Sequence, residues 1–182
     1  MYWEKSGPEN TAATIEAAVK TARERGIDYV VVASNSGATA LKLAGKAPKL
    51  VCVTYAHGFG QPGGVSLLPE NRSALEQQSV AILSTTHVLS GAERGLSRKF
   101  GGIYPVEVIA ASLRMLGQGV KVCVEIAVMA LDAGFIPYGK PVIAVAGTGN
   151  GADTAVIIRP AHAAAILDTF IAEIICKPAG QS

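Results

Sequence analysis

Charge is what this sequence has least of. Only 16% of its 182 residues are Asp, Glu, Lys or Arg, well under the quarter usual for soluble domains. The formal balance is +2 and no basic run occurs, so the electrostatic footprint of a nucleic-acid binder is missing. Cysteine is scarce too: Cys52, Cys123 and Cys176 lie far apart. An odd set without paired spacing argues against a disulfide framework and against a zinc site. No apolar run approaches the roughly 18 to 20 residues of a membrane span. The opening residues, MYWEKSGPENT, have neither the basic nor the apolar region of a signal peptide. The expectation is a cytoplasmic protein without membrane or nucleic-acid partners. Also missing are a G-x-S-x-G elbow, a Walker A loop and an H-E-x-x-H pair.

What is present is apolar: 49% of the chain is hydrophobic, enough for a sizeable core. With so little charge to solvate the surface, part of it is expected to be covered by a second copy, making a homo-oligomer. No repeat or linker interrupts residues 1–182, so one domain is expected.

Helical and strand patterns alternate. Asn10 or Thr11 can cap a helix whose apolar face is Ile15, Ala18, Val19 and Ala22, stopped by Gly26. Tyr29–Ala33 is a continuous β-branched run, as in a strand buried on both faces. A small-residue helix reaches about Ala47, Leu50–Val53 is a second strand, and Thr54–Pro69 is a long glycine-rich loop. A helix over 70–78 leads to a third strand, Val80–Leu83. Ser90 and Glu93 have capping-box spacing for a helix from Gly91, and Pro105 opens another. Gly117 to Gly119 breaks that one. Val120–Ala133 is apolar almost all round, the mark of a buried helix. Val142–Ala146, Ala155–Ile158 and an edge strand over Phe170–Cys176 complete the set. The pattern predicts an α/β fold, three layers α/β/α, with a mostly parallel mixed sheet and an antiparallel edge.

Parallel strands deliver their exits to one sheet edge, where open α/β sheets bind ligands. Four exits here are polar or glycine-rich, and they are expected to share a crevice. Ser34, Asn35, Ser36, Gly37 and Thr39 lead from a strand into a helix, whose first amides favour an anion. The same turn is equally readable as a cap that meets only water. Gly147, Thr148, Gly149, Gly151 and Asp153 resemble a dinucleotide fingerprint but open a strand rather than a helix, so that fold is rejected. Their amides either cradle a ligand or form a plain tight turn. His57, Gly58 and Phe59 occupy the long loop, and Thr85 and Thr86 precede His87 at the third exit. Either histidine is a candidate for acid–base work in a metal-free hydrolase or lyase, though neither has an orienting carboxylate nearby in sequence. Glu125 lies in the apolar helix, where a carboxylate needs a partner. Lys121, one turn earlier, is the favoured one; a site carboxylate, with Asp132 on the same face, is the alternative.

The stretches GPENT (7–11), ASNSGATA (33–40), HVLSGAERG (87–95), the block 104–134 and AVAGTGNGADTA (144–155) resemble a family of stand-alone archaeal and bacterial proteins similar to the pyruvate kinase C-terminal (alpha/beta) domain. The resemblance implies a three-layer α/β/α fold with a mixed sheet. It does not imply kinase activity, whose active site belongs to a barrel domain that 182 residues leave no room for. The related kinase domain binds regulators, in some kinases a phosphorylated effector at a turn that Ser34–Thr39 resembles. Stand-alone members look like binders of flavin mononucleotide (FMN), which makes FMN the expected cofactor and a phosphate-bearing small molecule the expected partner. A regulatory sensor for a phosphorylated metabolite, without chemistry, is the alternative. The residues expected at the ligand are the turn and loop residues named above together with Glu125; no metal ligand is expected.

Overall fold

A computed structural model describes residues 1–180; the last two residues of the expected domain lie outside the described residues. Seven strands form one sheet: β1 (Tyr2–Trp3), β2 (Tyr29–Ala33), β3 (Lys49–Thr54), β4 (Ala81–Ser84), β5 (Val142–Ala146), β6 (Thr154–Arg159) and β7 (Phe170–Pro178). Their order is β1-β7-β6-β5-β2-β3-β4. The four strands β5, β2, β3 and β4 run parallel, and β6 is antiparallel to both β5 and β7. The mixed three-layer sheet is therefore as expected. β7 is not the edge, however. The first residues, expected as an irregular arm, add β1 in parallel beside Lys177 and Pro178. Two residues are too few for an alternation signal.

The helices are α1 (Thr11–Arg25), α2 (Ala38–Leu43), α3 (Pro69–Gln77), α4 (Gly91–Phe100), α5 (Pro105–Arg114) and α6 (Gln118–Asp132). Side chains of a strand alternate between faces, and both faces are covered. Val30, Val32, Cys52, Ile143 and Val145 pack with Ile15, Val19, Leu43 and Leu75 under α1, α2 and α3. Val31, Val51, Val53, Ala144 and Val156 pack under α6 with Val124, Ala127 and Val128. That is why the strands read as unbroken apolar runs. α6 is buried at every position from Gly119 to Leu131 except Val122, so its all-round hydrophobicity follows from lying between the sheet and α5.

Three local expectations change. α2 stops at Leu43, four residues early. Gly117 alone breaks the chain before α6; Gly119 is helical, and a Cβ there would overlap Thr154 Oγ1, so the missing side chain lets the helix rest on β6. The Ser90–Glu93 capping box does not form. Ser90 makes no cap bond, and Glu93 Oε2 instead accepts the Val106 amide of α5 at 3.0 Å. Among the described residues no helix is long and apolar enough to cross a membrane.

Candidate functional site

The exits of β2, β3 and β5 converge on one crevice of about 570 Å³, with α4 and the first turns of α6 as its other wall. This volume suits a small molecule. Of the expected residues, Ser34, Asn35, Ser36, Thr39, Phe59, Glu125, Gly147, Gly149 and Gly151 line it. They come from widely separated parts of the chain.

The other expected residues stand elsewhere. Gly37 has φ +90°, and a Cβ there would meet Asn71 and Leu67, so it lets α3 approach the turn rather than facing a ligand. His57 and Gly58 are exposed on the long loop and do not line the crevice. The Gly58 amide closes that loop on the Gly64 carbonyl at 2.8 Å. Thr85 and Thr86 open instead into a neighbouring cavity of about 520 Å³ beside Glu93. Thr148 faces a third space beside Lys177. Asp153 is fully buried. Its carboxylate accepts the Gly7 amide at 3.2 Å, the Thr148 amide at 3.1 Å and the Thr154 hydroxyl at 2.7 Å. It builds the glycine turn from behind and does not line the crevice.

The first turn also differs from the expectation of free amides. Ser34 Oγ accepts the amides of Thr39 and Ala40, both at 3.1 Å, and the Gly37 amide bonds the Ser34 carbonyl. Ser34 is thus the internal cap of α2. The amides of Asn35 and Ser36 have no partner among the described residues, and with the Asn35 side chain and Ser36 Oγ they form the polar rim.

The cationic charge of the crevice comes from Lys121, already singled out in the sequence, and from two arginines that sequence reasoning missed. Arg94 of α4, Arg114 of α5 and Lys121 of α6 all line it. Lys121 Nζ donates to Glu125 Oε2 at 2.5 Å, both side chains being nearly buried. The other oxygen, Oε1, accepts the Leu89 amide at 3.1 Å. The pair is therefore the i,i+4 partner set expected, and Asp132 takes no part in it. Arg114 Nε meets only the neutral amide of Gln118, at 2.8 Å, and Arg94 pairs with no carboxylate among the described residues. Among the described residues neither guanidinium charge is matched by an acid. Their effect reaches Lys121, whose ammonium pKa is lowered by burial, against the pull of Glu125, with Arg114 and Arg94 repelling it further. The only sequence signal for these arginines is that neither has an acid at i±4.

At the mouth, the Tyr55 ring stacks on Phe59 with centroids 4.2 Å apart, and His87 lies 5.0 Å from Phe59. Burial lowers the His87 pKa, Glu125 opposes that, and Lys121 reinforces it. A folded-state pKa below the ordinary 6.5 means that the unfolded chain binds the proton first as pH falls. Stability is therefore expected to decline as pH drops below about 6.5. Urea midpoints between pH 8 and 5 test this: a His87→Gln variant should lose that part of the slope, and an unchanged slope would refute the assignment.

Thiol chemistry finds no support: all three cysteines are buried, and burial pushes Cys52 up to about 12. Among the described residues no group of three or more His, Cys, Asp or Glu could hold a metal ion.

The family model described as pyruvate kinase, alpha/beta domain, matches residues 12–158. Among solved structures, Cryptosporidium parvum pyruvate kinase in complex with ADP aligns at 16% identity and a TM-score of 0.38 over 81% of this chain. A second Cryptosporidium parvum pyruvate kinase structure aligns at 17% identity and 0.39, also over 81%. In both, the match covers only 22% of the kinase.

Proposed function

The chain belongs to the pyruvate kinase alpha/beta domain family, and from that premise we propose that it binds a phosphate-bearing ligand, FMN foremost, in the crevice at the strand exits. One observation carries the reading: Arg94 and Arg114, unmatched by acid among the described residues, line the same crevice as the polar rim of Asn35 and Ser36. A guanidinium held in such a wall is suited to phosphate oxygens. Tyr55, Phe59 and His87 give the same crevice an aromatic end, suited to stacking on a flat ring system. The residues fit FMN in both respects. When bound, the flavin supplies redox chemistry; this chain supplies the charge, the hydrogen-bond donors and the stacking surface. Sparse charge extends the reading to a homo-oligomer.

Flavin fluorescence quenching tests it. FMN should bind in the micromolar range and riboflavin, without the phosphate, more weakly. An Arg94→Gln, Arg114→Gln double variant should weaken FMN by about 10- to 100-fold, the worth of charged hydrogen bonds at 1.4 kcal/mol per decade, and leave riboflavin unchanged. Equal binding of FMN and riboflavin would remove the phosphate from the account. If FMN fails while sugar phosphates raise the melting temperature, the chain is a metabolite sensor rather than a flavoprotein.

A further inference from the structure

The far end of α6 carries a second group of side chains that the crevice does not use. It lies about 20 Å from Gln118, the length of fourteen helical steps. Asp132 is the last residue of α6, where a negative charge opposes the helix dipole. What it holds there is specific. Asp132 Oδ1 lies 2.7 Å from His162 Nδ1, and Oδ2 accepts the Ala163 amide at 3.2 Å. Both contacts hold the His162 segment against the end of α6. Tyr138 lies parallel to the imidazole, 10° between planes and 5.5 Å between centroids, yet its side chain is largely in solvent.

These two rings line a cavity of about 320 Å³ together with Arg159 and Asp168. Among the described residues, Arg159 pairs with no carboxylate and Asp168 with no cation. The Arg159 guanidinium lies over the Phe170 ring, 5.6 Å from its centroid. The cavity therefore offers one fork of donors, one acceptor carboxylate and a pair of parallel rings.

We propose that this cavity is a second ligand site, for a small planar carboxylic acid that also carries a hydroxyl or N–H donor. Arg159 takes the acid group, for which its donor fork is shaped. Tyr138 and His162 take the flat ring. Asp168 accepts the donor, and its own charge disfavours a phosphate dianion in the same space. That separates this site from the crevice, where cations prevail.

The test uses the full chain with ¹⁵N-labelled histidine and backbone, and four probes: 4-hydroxybenzoate, benzoate, phenol and acetate. 4-Hydroxybenzoate should shift the His162 ring and the Ala163 amide saturably, with a Kd near or below about 1 mM. Benzoate should bind more weakly, and phenol and acetate should give no saturable shift. Arg159→Gln, an exposed change, should weaken 4-hydroxybenzoate at least tenfold while the spectrum of the crevice residues stays in place. Asp168→Asn should narrow the gap between 4-hydroxybenzoate and benzoate. Equal shifts from acetate and 4-hydroxybenzoate would overturn the proposal, as would binding indifferent to Arg159→Gln. Absence of any shift at about 10 mM would overturn it as well.

Discussion

Replacing Lys121 with methionine is expected to cost about 3–5 kcal/mol in urea unfolding, the range found when a buried ion pair loses one partner. Methionine keeps most of the length of the side chain and removes the ammonium. Glu125 would then be a nearly buried carboxylate with only the Leu89 amide to stabilise it. It cannot turn to water without releasing that amide, which belongs to the segment that delivers His87 and α4. A double change, Lys121→Met with Glu125→Leu, should recover most of the loss, because a buried pair can be exchanged for apolar residues of similar size at little cost. The wild type should also gain stability with rising pH just below 10.5, since the lowered Lys121 pKa makes the unfolded chain the better proton binder there. The methionine variant should lack this gain. A single-variant loss under about 1 kcal/mol would mean that water reaches the pair and solvates the orphaned acid.

The sequence made the layers of this fold legible for one reason. A sheet covered on both faces needs strands apolar at every position, and Tyr29–Ala33, Leu50–Val53 and Val142–Ala146 have that signature. The antiparallel turn after β5 was legible from its short loop. The shared crevice followed from topology, since parallel strands open on the same edge. Individual contacts did not follow. Whether Ser34 caps α2 or meets a ligand depends on one side-chain rotation, which spacing does not encode. Arg94 and Arg114 reach the crevice only because α5 packs on α6 and α4 on α5, the latter through bonds such as Glu93 to the Val106 amide and Ser97 Oγ to Glu107 Oε1 at 2.8 Å. Those are tertiary contacts between helix surfaces, invisible to periodicity. His57 illustrates the same limit from the other side: a glycine-flanked histidine looks available, and here it is exposed on the loop outside the crevice lining.

Asp153→Ala is expected to be the most damaging change in the glycine turn, though the residue lies behind the crevice wall. Its carboxylate is fully buried, pairs with no cation among the described residues, and is held by three donors, Gly7 of the N-terminal arm and Thr148 and Thr154 on either side of the turn. Its carbonyl also accepts the Trp3 indole N–H at 2.7 Å, so the N-terminal arm, β1 and the turn after β5 meet at one residue. Alanine would strand the buried Gly7 and Thr154 donors and take the partner from the part-buried Thr148 amide. At about 1–3 kcal/mol for each unsatisfied group, with partial relaxation, the loss should be about 3–5 kcal/mol. Asparagine keeps one acceptor oxygen but turns an amide N–H₂ toward donors, so Asp153→Asn should fall between alanine and wild type. Hydrogen exchange at the Thr148 amide separates this account from general destabilisation. Under conditions where both proteins are folded, that amide should exchange faster in the alanine variant, while core amides of β5 such as that of Ile143 stay protected. FMN affinity should fall with it, because Gly147, Gly149 and Gly151 line the crevice only while the turn keeps its shape. An alanine variant within about 1 kcal/mol of wild type, with Thr148 still protected, would show that the turn holds itself through its backbone and the Thr11 hydroxyl bond to the Ala152 amide.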